Sequence, residues 1–406
     1  MPIGLNAPEN LLPISGVSIG VAESNIRYTG RSDLVLMSLS EGTSTAAVYT
    51  KNRYCAAPVT LCKEHAQKKS PKALLINAGN ANAGTGALGM QNAKQSCEMV
   101  SRAIGCNVDE VLPFSTGVIG EQLPMDAVQK GVDLASANMS EDNWLLAANA
   151  VMTTDIVAKA VSKQVEINGK LISITGMTKG SGMICPNMAT MLGYVATDAA
   201  ISADTLQAML VQANNQSFNR ITVDSDTSTN DSLVLVATGK AGNKTINSVD
   251  SSEAVTFYKA LESVLINLAT SIIRDGEGAT KFVKVDVLGG ASEKDCESIA
   301  YSVAHSPLVK TALYASDPNW GRILAAIGKA PVDQLEIEQV DISINEIELI
   351  KNGEPALSYT EAAGQSVFNQ EEITIQINLN IGASNYHVWT SDLSHEYVTI
   401  NADYRS

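Results

Sequence analysis

The sequence predicts a mixed α/β protein. Apolar runs of strand length alternate with amphipathic segments of helix length along the chain. That alternation is typical of helices packed on sheets, and not of a helical bundle or an all-β sandwich. With 406 residues, of which 45% are hydrophobic, the chain can bury large cores, so we expect two domains or one large two-part body.

The first third supplies a buried strand and a set of helices. KALLINAG (72–79) is a continuous apolar run of strand length, and MQNAKQSCEMVSRAIG (90–105) has helical spacing and ends on a glycine. Two further helices are expected over 124–139 and 143–152, with Pro124 suited to a first helical turn.

The middle and the C-terminal third return to strands and turns. Asn168-Gly169 separates two alternating runs and predicts a hairpin, because a type I′ turn needs positive φ at both central residues. Ser202 is a candidate helix N-cap, and a long helix is expected from Glu253 to Gly276. The remaining strands are predicted in 340–350, 372–382 and 397–406, with a second hairpin at 352–353.

Composition excludes several classes of function. The net charge of −15 argues against binding to nucleic acid or to an anionic membrane, because both need clustered Lys and Arg. The N-terminus lacks the pattern of a secretory signal, and nowhere do about 18 apolar residues run together. The six cysteines form no CxxC pair, which fits a reducing cytoplasm and gives no support to a zinc site or disulfide framework.

The oxygen-rich turn with Asp224, Asp226 and Asp231 is interpreted as a Ser/Thr/Asp turn, so we expect no metal.

GTGALG (84–89) fits the GxGxxG pattern of dinucleotide sites. Its context is wrong, because NAGNANA separates the strand from the first glycine of the motif and the helix is expected to begin only after it. We therefore interpret this run as a tight loop whose small residues permit close backbone approach.

TKGSGMICPNMATML (178–192) places glycines, a proline and an asparagine just before Thr190. Such a constrained backbone path is usually tolerated where it serves a site. No His or carboxylate lies beside Thr190 in the sequence, but a threonine can use its own α-amine as a base if the chain is cut before it. Its hydroxyl could make that cut by attacking the Ala189 carbonyl.

Three other motifs carry candidate site residues. Ser115-Thr116-Gly117 follows a short apolar strand, where a hydroxyl and a glycine N–H would suit an oxyanion hole. TTD (153–155) follows a predicted helix, and RDGEGATK (274–281) holds Glu277 between two glycines, where a carboxylate could meet an ammonium group.

In this order, the motifs resemble those of the self-cleaving ornithine acetyltransferase family of arginine biosynthesis. KGSGMICPNMATML is the most specific match, and NAGNANAGTG, STGVIGEQLP, MTTD, RDGEGATK, YASDPNWGRILAAIG and YVTINADYRS extend it over the whole chain. The resemblance implies a layered α/β sandwich with duplicated units, of the N-terminal-nucleophile type. It further implies cleavage between Ala189 and Thr190 into an α chain (1–189) and a β chain (190–406), paired as α2β2.

By the same resemblance, Thr190 is the nucleophile and Thr116 and Gly117 form the oxyanion hole. The implied substrate contacts are Thr153, Lys179, Thr190, Glu277, Asn401 and Ser406. We assign Lys179 to the carboxylate of N-acetylornithine and Glu277 to its ammonium group.

The expected reaction is ping-pong transfer of acetyl from N2-acetylornithine to glutamate through acetyl-Thr190, which releases ornithine and needs no metal or other cofactor. Use of acetyl-CoA as a second donor is left open. The alternatives are a self-processing aminopeptidase or amidase of the same fold, an acyltransferase paralogue of a secondary pathway, and a binding protein without catalysis.

Overall fold

The computed structural model describes residues 2–185 and 191–403, and its secondary structure mixes helices and strands throughout. In chain order the strands are β1 (Val17–Ala22), β2 (Leu34–Leu39), β3 (Ser44–Tyr49), β4 (Ala73–Asn80), β5 (Val111–Val118), β6 (Lys159–Ile167), β7 (Lys170–Lys179), β8 (Leu192–Thr197), β9 (Ile221–Thr222), β10 (Ser232–Ala237), β11 (Phe282–Gly290), β12 (Asp341–Ile344), β13 (Ile347–Lys351), β14 (Glu354–Pro355), β15 (Glu372–Asn378) and β16 (Ser384–Ser391).

The α-helices of the described residues are α1 (Ala57–Lys68), α2 (Gly86–Ile104), α3 (Met125–Ser136), α4 (Trp144–Ala150), α5 (Ala203–Asn215), α6 (Ser252–Arg274), α7 (Glu293–Ala304), α8 (Pro307–Tyr314), α9 (Trp320–Gly328), α10 (Glu361–Phe368) and α11 (His395–Ala402). The α/β prediction is confirmed. In the part of the chain that the structure describes, no helix combines the length and apolar character needed to cross a membrane.

The chain divides into two compact units. The larger unit comprises Asn6–Asn219 and Asp226–Ile272, and the smaller comprises Met1–Leu5, Arg220–Ser225 and Ile273–Ser406. The predicted cleavage point between Ala189 and Thr190 falls inside the sequence range of the larger unit. The division into chains 1–189 and 190–406 therefore concerns processing and not compact units, and it stays a prediction.

The larger unit is a layered sandwich. A four-stranded sheet, β1-β2-β4-β5, and a five-stranded sheet, β3-β10-β8-β7-β6, contribute to one shared core. Phe114 of β5 and Tyr194 of β8 meet edge to face in that core, with ring centroids 5.3 Å apart. Helices α2 and α3 pack on the opposite face of the four-stranded sheet through a second core. These layers agree with the sandwich implied by the family resemblance.

The smaller unit is built on a seven-stranded sheet in the order β14-β13-β12-β15-β11-β16-β9. Its core joins alternate residues of β11, β12 and β15 to the apolar faces of α7 and α9. The alternation seen in the C-terminal third of the sequence is therefore the alternation of a sheet with one face covered.

Most local predictions are confirmed. Strand β4 covers the predicted apolar run and is buried along its whole length. Asn168 and Gly169, with φ of 50° and 74°, join β6 and β7 as the predicted hairpin, and Asn352 and Gly353 do the same between β13 and β14. Ser202 is the N-cap of α5.

Three local predictions are wrong. Residues 397–402 belong to α11 and not to a strand, because the Ser394 hydroxyl caps a helix there by accepting from Tyr397 N. Asn345, at φ 49°, breaks the run 340–350 into the antiparallel strands β12 and β13. Helix α2 begins at Gly86, inside the glycine motif. The objection that β4 ends before Gly84 still holds, since β4 stops at Asn80.

Candidate active site

The predicted oxyanion residues Thr116 and Gly117 lie near the end of β5, beside β4. The pairing is irregular there, since Asn80 pairs with both Thr116 and Val118. Gly117 has φ 131°, and a Cβ at this position would lie 2.2 Å from the Gly79 carbonyl carbon. The close approach of the two strands and the positive φ both require glycine at position 117.

A network of buried asparagines holds these strand ends in place. The Ser115 hydroxyl donates to Asn77 Oδ1 at 2.6 Å, and Asn77 Nδ2 donates to the Asn80 carbonyl at 2.8 Å. Asn230 Nδ2 donates to the carbonyls of Ala81 at 2.6 Å and Ser115 at 2.9 Å. Each such bond contributes on the order of 1 kcal/mol, and losing one would leave a buried carbonyl unsatisfied. Sequence reasoning gave Asn77 and Asn230 no role, although Asn77 begins NAGNANAGTG and Asn230 directly precedes Asp231 of the oxygen-rich turn.

Lys179, the last residue of β7, brings three of the predicted site residues together. Its Nζ donates to Thr116 Oγ1 at 3.1 Å and to Thr153 Oγ1 at 2.8 Å. The ammonium group therefore lies between a predicted oxyanion residue and a predicted substrate contact. This places positive charge where a carboxylate or a developing oxyanion could be stabilised.

Asp155 binds the backbone on both sides of this contact between Lys179 and Thr153. Its Oδ1 accepts from Lys159 Nζ at 2.6 Å and from Gly180 N at 2.8 Å, and its Oδ2 accepts from Thr153 N at 3.0 Å. The side chains of Asp155 and Lys159 are both completely buried. Sequence reasoning noted the TTD motif without giving Asp155 a role, although its position two residues after Thr153 was the available signal.

Asp155 is ionised despite its burial. Burial by itself raises the pKa of this carboxyl, but the charges of Lys159 and Lys179 and the hydrogen bonds from Lys159 and Gly180 outweigh it and hold the pKa below its ordinary value. A fixed carboxylate thus binds the backbone N–H groups of Thr153 and of the residue after Lys179.

Asp231 has the opposite character. Burial raises its pKa well above the ordinary value. The hydrogen bond with the Ser228 side chain and the charge of Lys179 lower the pKa, but by less than burial raises it. Its Oδ2 is buried and has no hydrogen-bond partner among the described residues. Asp231 directly precedes β10, whose first residue, Ser232, pairs with Leu192 of β8. The two buried carboxyls of this unit, Asp155 and Asp231, thus have pKa values shifted in opposite directions.

In the smaller unit the structure brings together Glu277 and Asn401, two predicted substrate contacts that are far apart in sequence. Asn401 Nδ2 donates to Glu277 Oε2 at 2.8 Å. Glu277 is 7% exposed, whereas Asn401 lies near the end of α11 and is exposed. This contact depends on the helix that the sequence pattern had mistaken for a strand.

The remaining predicted residues, Ala189, Thr190 and Ser406, lie outside the described residues. Within 2–185 and 191–403, no three His, Cys, Asp or Glu side chains converge as ligands of a metal would.

Two of the histidines, His65 and His305, make hydrogen bonds away from Lys179. His65 Nδ1 lies 2.8 Å from the Val111 carbonyl, and His305 Nε2 lies 3.0 Å from Thr222 Oγ1. Burial, aided by neighbouring positive charge, lowers the pKa of His305 and of His387 to about 4. Both rings are therefore neutral at neutral pH.

Comparison with known proteins gives consistent matches over the whole chain. A model of the ArgJ family matches residues 18–406. The arginine biosynthesis bifunctional protein ArgJ of Psychrobacter arcticus is 54% identical over 399 residues, which cover 98% of both chains. The protein of the same name from Pseudomonas fluorescens is 48% identical over 406 residues and 100% of both chains. The crystal structure of ornithine acetyltransferase complexed with ornithine from Mycobacterium tuberculosis is 31% identical, covering 44% of this chain and 94% of that one, with a TM-score of 0.38.

Proposed function

Because the chain belongs to the ArgJ family, we propose that it moves the acetyl group of N2-acetylornithine to glutamate through an ester on Thr190. The products are ornithine and N-acetylglutamate. The protein is an enzyme of arginine biosynthesis, in keeping with its family and with the pathway that its relatives' names print. The family match also disfavours the aminopeptidase, paralogue and binding-protein alternatives.

The observation that carries the proposed chemistry is the position of Lys179. Its ammonium group bonds to the hydroxyls of both Thr116 and Thr153, and Gly117 adjoins Thr116 on a strand end that admits no side chain. Two hydroxyls, a glycine N–H and a cation thus come from neighbouring residues. Removal of one oxyanion donor typically costs on the order of 2.7–4 kcal/mol of transition-state stabilisation.

The substrate has one charge of each sign besides its amide. We assign its carboxylate to Lys179 and Thr153, and its side-chain ammonium to Glu277 and Asn401. Glu277 is 7% exposed and already accepts a hydrogen bond from Asn401, so a cation bound there would meet a largely desolvated carboxylate.

Activation precedes the reaction. The Thr190 hydroxyl attacks the Ala189 carbonyl, the Ala189–Thr190 amide bond breaks as the ester forms, and the α-amine of Thr190 takes up the proton. Water then hydrolyses the ester and leaves Ala189 with a carboxylate and Thr190 with a free hydroxyl. The new amine serves as the general base of the mature enzyme.

Transfer then takes two half-reactions. The Thr190 hydroxyl attacks the acetyl carbonyl of N2-acetylornithine, its proton passes through the Thr190 amine to the leaving nitrogen, and ornithine departs. The α-amine of glutamate attacks the acetyl-Thr190 ester, and the hydroxyl is restored. An ester retains enough of the acyl group's free energy for this second transfer, so no nucleotide is consumed.

Three further points extend the proposal. The word "bifunctional" in the relatives' names supports acetyl-CoA as a second acetyl donor for glutamate. The two fragments stay together and pair as α2β2. We place the enzyme in the cytoplasm.

Processing is tested by the intact mass of purified protein under denaturing conditions. Wild type should give fragments of 189 and 217 residues, about 20 and 23 kDa when the 42.8 kDa total is divided by length. Thr190→Ala should give only the full chain, and Thr190→Ser, which keeps a hydroxyl, should still be cut. An uncut wild-type chain would refute the amine-base mechanism.

The transfer is tested by mixing cut enzyme with N2-acetylornithine alone. A burst of ornithine stoichiometric with active sites, and a peptide from the start of the β chain heavier by one acetyl group, are expected. Ornithine release that strictly requires glutamate would refute the ping-pong order. Release of free acetate, or hydrolysis of peptides, faster than transfer to glutamate would favour the amidase alternative.

A further inference from the structure

The loop that carries Glu277 is bound on its C-terminal side by a buried carboxylate, that of Asp392. Asp392 follows β16 and is 4% exposed. It accepts hydrogen bonds from Thr280 N at 2.8 Å, Thr280 Oγ1 at 2.6 Å and Lys281 N at 2.9 Å. Three donors on one carboxylate define the backbone position of the loop just after Glu277.

Ser394 ties the same loop to the helix that carries Asn401. Its hydroxyl donates to the Gly278 carbonyl at 2.6 Å and accepts from Tyr397 N at 3.3 Å, which caps α11. Gly278 has φ 66°, and a Cβ there would lie 2.5 Å from Tyr397 N. Loop and helix N-terminus therefore approach more closely than any side chain at 278 would allow.

The residues on either side of Asp392 are bound by Lys310 of α8. Lys310 Nζ donates to the Ser391 carbonyl and, at 3.0 Å, to Thr390 Oγ1, and Leu393 N donates to the Lys310 carbonyl at 3.2 Å. Lys310 is buried, at 4% exposure. The segment that binds the loop and caps the helix is thus fixed on both sides of Asp392.

We propose that Asp392 and Ser394 are positioning residues that set the affinity for the ammonium end of the acetyl donor, by holding Glu277 and Asn401 at a fixed separation before the ligand arrives. The inference rests on the proposed function, in which that pair receives the side-chain ammonium of N2-acetylornithine. A preformed pair loses little conformational entropy on binding, whereas a loosened loop must be ordered at the expense of affinity.

The test compares Ser394→Ala and Asp392→Asn with wild type, using N2-acetylornithine and N-acetylnorvaline, which has the same carbon chain without the ammonium group. We expect complete self-cleavage, a KM for N2-acetylornithine raised about tenfold with kcat within about twofold, and an unchanged KM for N-acetylnorvaline. Ser394→Thr keeps the hydroxyl and should restore the wild-type preference between the two substrates.

Ser292→Ala is the matched control, because Ser292 caps α7 in the same unit by accepting from Asp295 N at 3.1 Å. It should lower stability by a similar amount and leave both KM values unchanged. The proposal is overturned if Ser394→Ala and Asp392→Asn behave like Ser292→Ala, or if both substrates weaken equally. Wild type that is uncut or releases no ornithine refutes the proposed function instead. In that case, ornithine binding measured by calorimetry decides the inference, and variants that bind ornithine as wild type does overturn it.

Discussion

The buried pair Asp155–Lys159 allows a quantitative test of how the candidate site is held. The perturbation is Asp155→Asn. Both side chains are completely buried and their charged atoms are 2.6 Å apart, so the substitution leaves the Lys159 ammonium buried without its carboxylate. Breaking a buried pair in this way typically costs about 3–5 kcal/mol.

Hydrogen bonding places the loss at the upper end of that range. Asp155 uses one oxygen for Lys159 and Gly180 N and the other for Thr153 N. An asparagine has one acceptor oxygen, so its NH₂ must face a donor on one side. We therefore expect a loss close to about 5 kcal/mol in the free energy of unfolding.

The assay is urea unfolding at pH 7 in a Thr190→Ala background, where the chain is expected to stay whole. Asp109→Asn is the matched control in the same unit, because its pair with Lys69 spans 3.4 Å and is partly exposed; it should lose less than about 1 kcal/mol. Adding Lys159→Met to Asp155→Asn removes the stranded charge and should recover part of the loss. An Asp155→Asn loss as small as that of Asp109→Asn would show that the pair is not a buried ion pair.

The pH dependence has a definite sign. The pKa of Asp155 is lower in the folded state than in the unfolded chain, so its contribution is complete above about pH 4 and is lost as the pH falls below that. The difference between wild type and Asp155→Asn should therefore be constant from pH 5 to 8 and should shrink in acid.

Four more predictions follow from the structure. Gly117→Ala places a Cβ 2.2 Å from the Gly79 carbonyl carbon and should reduce the ornithine burst more than about 100-fold in quench-flow measurements; Gly105→Ala, which meets no atom within 4 Å, should leave it intact. Lys179→Met should abolish the burst, whereas Lys163→Met, on the exposed part of β6, should retain it. Asn230→Ala removes two bonds to buried carbonyls and should lower unfolding free energy by about 2–4 kcal/mol in urea, with Asn149→Ala, which removes one exposed bond, as the control. His305 and His387 have folded pKa values of about 4, so stability is lost as pH falls from about 6.5; replacing both with Gln should flatten this acid dependence in calorimetry.

The features that were predicted correctly from the sequence are those determined by a few neighbouring residues. The Asn-Gly turns, the β4 run and the Ser202 cap each depend on local backbone preference, and all are found in the structure. The strand predicted at 397–406 failed for a reason of the same kind. Its alternation suits a strand, but Ser394 caps a helix there and is held by Gly278, more than a hundred residues earlier.

The candidate site shows the same limit. Thr116, Thr153 and Lys179 could be named from their motifs. The bonds from the Lys179 ammonium group to both threonine hydroxyls could not, because they depend on how β5, β7 and the segment after α4 assemble. Asp155 had no assigned role because its partners Gly180 and Lys159 belong to two different strands or their ends. Long-range partners of a buried charge leave little trace in a single sequence.

Strand order gives the predicted cut a consequence for refolding. In the five-stranded sheet β3-β10-β8-β7-β6, strands β8 and β10 follow position 190 in the sequence, while β3, β7 and β6 precede it. Cleavage would leave two polypeptides whose strands interleave, with β10 against β3 on one side and β8 against β7 on the other. The uncut chain forms this sheet in a unimolecular process, whereas the separated fragments must first meet. Renaturation of the mature enzyme should therefore depend on concentration, although the native protein was made from one chain.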